Sequence, residues 1–86
     1  MTTDARPTPT ASELLAIMRD HNIAPSLRMG PGECIRLPEP HESAWREAHG
    51  GKPVLSSVMA GLERRGLVIV TDTNARGRMY RWWKIV

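Results

Sequence analysis

Residues 62–71 read Leu62-Glu63-Arg64-Arg65-Gly66-Leu67-Val68-Ile69-Val70-Thr71, a helix end that passes into a strand within two residues. Gly66 suits the left-handed position that closes a helix, and Leu67 folds back as the hydrophobic contact of a Schellman-type stop. Upstream, Leu55, Val58, Met59 and Leu62 share one helical face, and Pro53 suits a first helical position, where its missing N–H is no loss. The spacing therefore predicts a helix over 53–65. Downstream, 67–71 is β-forming, 72–77 (Asp-Thr-Asn-Ala-Arg-Gly) is turn material, and 78–86 is rich in Tyr, Trp, Ile and Val. Together these segments predict a hairpin.

Toward the N-terminus, residues 43–48 form a short helix, starting as early as Pro40, with Trp45 and Ala48 inward and Gly50-Gly51 breaking it. Residues 34–37 alternate as a short edge strand that Pro38 terminates, and the turn formers of 25–32 mark a loop with Leu27 and Met29 tucked beneath it. Thr10 and Glu13 fit a capping box, opening a first helix whose buried stripe is Ala11, Leu14, Leu15 and Met18, with Ile17 beside it. Asn22 and Pro25 supply its stop. Residues 1–9 offer nothing to bury, so the expected organisation is a disordered tail, 1–9, and one domain, 10–86.

Eighty-six residues leave no room for a second core, and 41% hydrophobic with 24% charged residues is a globular balance. The longest apolar run, 14–18, is far short of the roughly 20 residues of a membrane span, and 1–10 lacks the apolar stretch of a signal peptide, so a cytoplasmic protein is expected. The single cysteine forms no internal disulfide. Cys34, His41 and His49 are zinc-ligand types without the tight paired spacing of closed sites, so no metal or other cofactor is assigned. No nucleophile–base pair, carboxylate pair or phosphate loop is present, and a non-enzymatic role follows.

Charge is the more informative signal. Residues 1–43 carry four arginines against six acids, and 44–86 carry eight Lys or Arg against three, so the positive charge collects in the C-terminal half of a chain of net +3. Arg76, Arg78, Arg81 and Lys84 fall within nine residues with no acid among them. Such a ribbon suits phosphates first, and a solvated edge that resists aggregation second.

The order helix, strand, short helix, turn, longer helix, hairpin resembles a winged helix-turn-helix domain: α+β, three helices with a small antiparallel sheet ending in a β-hairpin wing. The run from Leu62 to Val68 resembles the end of the recognition helix in bacterial winged-helix transcription regulators, and Arg76-Gly77-Arg78-Met79-Tyr80-Arg81-Trp82 resembles their wing. The resemblance covers 44–86. It implies double-stranded DNA as partner, with the helix in a major groove and the wing resting on phosphates or reaching into the adjacent minor groove. A helical wheel centred on Leu62 turns Pro53, Ser56, Ser57, Ala60 and Arg64 outward, with Gly61 at the margin. Lys52, Ser56, Ser57 and Arg64 are thus the helix contacts and Arg76, Arg78 and Arg81 the wing contacts. By the same resemblance Tyr80 and Trp82 face the helices and Trp83 faces outward, although the balance of apolar residues admits the opposite register.

The outward helix face is small and nearly neutral, which motivates a rival: the same fold as a protein-interaction module or small inhibitor, docking through Ala60, Gly61 and an exposed Trp83. A homodimer, as palindromic sites require, would use the first helix, the tail or the outer sheet face.

Overall fold

Residues Ala11, Leu14, Leu15 and Met18 are buried along one side of α1 (Pro9–His21) in the computed structural model, which describes residues 9–86. Five elements follow: β1 (Ser26–Arg28), α2 (His41–Ala48), α3 (Ser56–Arg64), β2 (Val68–Ala75) and β3 (Arg78–Ile85). The chain is α+β, with three helices and an antiparallel sheet ordered β1-β3-β2, on which α1 packs at β3 and α3 at β2. Leu14, Met18, Met59 and Leu62 are fully buried where α1 packs on α3, and Ile35, Leu37, Trp45, Val54, Val68 and Trp83 complete the core.

Several boundaries differ from the sequence expectations. The first helix begins at Pro9, so Thr10 lies inside the first turn and is not the cap. Proline fits there because the N–H it lacks would have no helical partner. The expected tail falls, apart from Pro9, on residues 1–8, outside the described residues.

The third strand is β1, within the segment read as a loop. Its register on β3 is Ser26↔Trp82, Leu27↔Arg81 and Arg28↔Tyr80. Leu27 packs against the core, and Met29, expected beneath a loop, is exposed. Residues 34–37 make only isolated bridges, Ser26↔Arg36 and Ile35↔Val54. The second bridge also shortens α3. With Val54 extended against Ile35 and buried, the helix starts at Ser56 and Pro53 is not helical, while Leu55 is 53% exposed instead of joining the stripe.

α2 buries Trp45 as expected, but Ala48 is exposed and Glu42 takes the second inward position. The Glu42 carboxylate accepts the Leu37 N–H at 2.9 Å and the Arg46 Nε, so it pins the 35–37 segment to the helix. That hydrogen bond raises the Arg46 pKa above its ordinary value. Glu42→Ala leaves a buried N–H unsatisfied and a guanidinium unpaired, an expected loss of about 1–3 kcal/mol. A urea midpoint shifted down with unchanged slope would report it; an unshifted midpoint would show that the carboxylate does not hold this segment.

α3 ends as its sequence predicts. Gly66 has φ 70°, its N–H reaches Glu63 O, and Leu67 N–H reaches Leu62 O, the two bonds of a Schellman stop. The hairpin is tighter than expected: β2 runs to Ala75, pairs Ala75 with Arg78, and leaves only Arg76 and Gly77 as the turn, both at positive φ (54° and 77°). That is the primed two-residue turn matched to the twist of a hairpin.

Candidate nucleic-acid interface

Register decides what each face of the hairpin presents. The two-residue turn fixes the pairs Val68↔Ile85, Val70↔Trp83 and Asp72↔Arg81, which share the face toward the helices. Val68 and Trp83 are buried there and Ile85 packs on the core. The outward placement of Trp83 is therefore reversed. Its ring is 4% exposed, and its Nε1–H donates to Glu63 Oε1 of α3. Tyr80 and Trp82 lie on the opposite face, half-buried.

β2 is exposed from Ile69 to Ala75, so the outer half of the ribbon is not held by the core. Five residues at about 3.4 Å each carry its tip roughly 17 Å past Val70. Arg76 sits in the turn and Arg78 opens the return strand, both exposed. A left-handed conformation is strained for arginine, by about 1 kcal/mol or more, at a position where asparagine is preferred.

Arg81, expected as a third phosphate contact, is committed elsewhere. Its Nε and Nη2 donate to the two carboxylate oxygens of Asp72, directly opposite, at 2.9 and 3.1 Å. The paired hydrogen bonds lower the Asp72 pKa and raise that of Arg81, to which Glu63 contributes a smaller attraction. Because the Asp72 value is depressed, the pair is complete above the ordinary aspartate pKa of about 3.9 and is lost only as pH falls through the lowered value. It persists throughout the neutral range.

On α3, Ser56, Ser57 and Arg64 are exposed, as is Lys52 ahead of it, and Ala60 is half-buried. Gly61 is buried: Arg65 folds over it, donating from Nη1 to Gly61 O at 3.1 Å, and a Cβ at Gly61 would lie 3.2 Å from that nitrogen. Gly61, expected to receive a partner, is thus covered by the protein's own arginine. Among the described residues, Lys52, Arg64, Arg76 and Arg78 have no ion-pair partner, whereas Arg28, Arg46 and Arg81 each face a carboxylate.

The zinc-ligand types are drawn to separate neighbours. Cys34 Sγ accepts from Arg46, His41 packs on His21, and His49 stacks on Trp45 with its Nε2 at 3.2 Å from Glu13, within ion-pair distance but without hydrogen-bond alignment. Among the described residues no group of three such side chains gathers, and no helix is long and apolar enough to cross a membrane.

Sequence reasoning missed the outer face of the sheet, where Arg28 and Arg36 join Tyr80 and Trp82. The turn would have revealed it, since closing the hairpin at Arg76-Gly77 places Trp83 opposite Val70 and turns Trp82 away. Comparison of the chain with protein-family models, curated proteins and solved structures gives no match.

Proposed function

We propose that this chain is a non-enzymatic winged-helix protein that binds duplex DNA, in the manner of a small transcription regulator. The observation that carries the reading is that Lys52 ahead of α3, Arg64 at its end, and Arg76 and Arg78 at the ribbon tip are exposed and unpaired by any described acid. The element order and the strand order β1-β3-β2 support the architecture. In it α3 enters the major groove, with Ser56 and Ser57 hydrogen-bonding phosphate or base edges and Arg64 as the side chain with reach for a base pair contact. The ribbon lies over the flanking backbone, with Arg76 and Arg78 on phosphates. So few long polar groups on α3 make affinity mostly electrostatic and sequence preference weak. The rival protein-docking reading keeps only Ala60 of its three residues in reach of a partner, because Gly61 and Trp83 are buried, and it ranks second for that reason.

A band-shift series on random duplex tests the proposal: binding is expected at low salt, and its absence removes the reading. Asp72→Asn sharpens the test. It deletes an acid beside the ribbon and releases Arg81, so duplex affinity rises several-fold and the salt dependence steepens by about one phosphate contact. Weaker binding by this variant would mean that the Asp72–Arg81 pair shapes the ribbon instead of withholding a cation.

A further inference from the structure

The face of the sheet turned away from the helices carries a second pattern, on residues separate from those of α3. Tyr80 and Trp82 stand at alternate positions of β3, the middle strand, with ring centroids 6.5 Å apart. Trp82 Nε1–H donates to Thr73 Oγ1 at 2.9 Å, which lays the indole across β2 and fixes its plane. The neighbours directly opposite Trp82 are Thr71 and Ser26, both too small to roof the ring.

Around the rings are cations. Arg28 lies opposite Tyr80, Arg36 opposite Ser26, and Lys84 and Arg78 follow the same alternation along β3, all four exposed. The nearby acid is Glu33, 3.6 Å from Arg28. Two depressions flank the ring pair: one of about 400 Å³ between Tyr80, Arg28, Arg36 and Cys34, and one of about 420 Å³ beside Trp82, Thr73 and Lys84.

We propose that this face binds single-stranded nucleic acid, with successive unpaired bases stacking on Tyr80 and Trp82 and the phosphates running past Arg28, Arg36, Arg78 and Lys84. A second copy of the chain is a poor occupant, since face-to-face contact would set each group of cations against its counterpart. An acidic peptide would satisfy the charges and leave the two spaced rings, one of them fixed in plane, without a role. Bases joined to phosphates use both, because every base has a π-face and stacking tolerates any sequence.

Trp45 and Trp83 are buried, so a change in tryptophan emission on titration with short oligothymidylate reports Trp82. The expected result is saturable quenching at low salt. Trp82→Leu abolishes the quench, and both Trp82→Leu and Tyr80→Leu weaken binding roughly tenfold or more. Trp82→Phe, which retains a ring, restores most of the affinity and controls for loss of fold. Duplex binding is unchanged in the Trp82 variants, and oligothymidylate binding is unchanged in Arg64→Ala/Arg76→Ala, so each surface fails or stands independently. The proposal is overturned if oligothymidylate fails to bind at low salt, if affinity is indifferent to both leucine variants, or if polyglutamate binds as tightly, which would make the face an anion site or a protein-docking site.

Discussion

Replacing Arg76 and Arg78 together by alanine is expected to reduce duplex affinity on the order of a hundredfold at 50 mM salt. Each phosphate neutralised releases counterions and contributes about −0.9 to the slope of log K against log salt, so two lost contacts flatten the slope by about 1.8. The expectation rests on the position of both arginines at the end of a ribbon that the core does not hold, without carboxylate partners among the described residues. Folding is not at issue: both side chains are exposed, and alanine at 76 carries the same Cβ strain in the left-handed position as arginine does. Thermal melting of the variant should match the parent within a few degrees. An unchanged salt slope would show that the ribbon does not touch the backbone, and DNA binding would then have to reside on α3 alone.

The second large effect concerns the two adjacent tryptophans. Trp83→Ala empties a site that is 4% exposed and removes the hydrogen bond to Glu63, an expected loss of about 3–5 kcal/mol. At about 4–8 °C per kcal/mol for a domain of this size, the melting temperature drops by roughly 15–30 °C. Against a total stability of about 5–15 kcal/mol, that is about a third or more of the whole at the midpoint of the range. Trp82→Ala, one residue earlier on the opposite face, costs about 1 kcal/mol. Comparing the two melts settles the register, because the opposite ranking would put Trp82 against the helices, as the wing resemblance implied, and would remove the stacking face as well.

That register shows which parts of the molecule its sequence carries and which it does not. The stripe of α1 and the Gly66 stop were legible because both are local: a 3.6-residue period and a left-handed residue need no distant partner. β1 was not legible, because the three residues Ser26–Arg28 hold no period, and only pairing with β3 makes them a strand. The start of α3 failed for a related reason. Pro53 is a good first helical residue, yet Val54 is claimed by Ile35 from a distant segment, and a tertiary bridge outweighs a local propensity.

The site divides in the same way. Lys52, Ser56, Ser57, Arg64, Arg76 and Arg78 are exposed as the helical wheel and the charge count require. Arg81 and Trp83 were misjudged because both depend on hairpin register. A turn read as six residues leaves that register open, whereas closure at Arg76-Gly77 sets Asp72 against Arg81 and Val70 against Trp83 at once. Gly61 was misjudged because a small residue on a wheel looks accessible, and nothing local shows that Arg65 folds back over it.

The salt dependence of random-duplex binding by the unmodified protein tests the proposed DNA contacts most directly. Four such contacts, Lys52, Arg64, Arg76 and Arg78, at about 0.9 each predict a slope of log K against log salt near −3.6. A slope near zero, or no binding at low salt, would contradict the assignment.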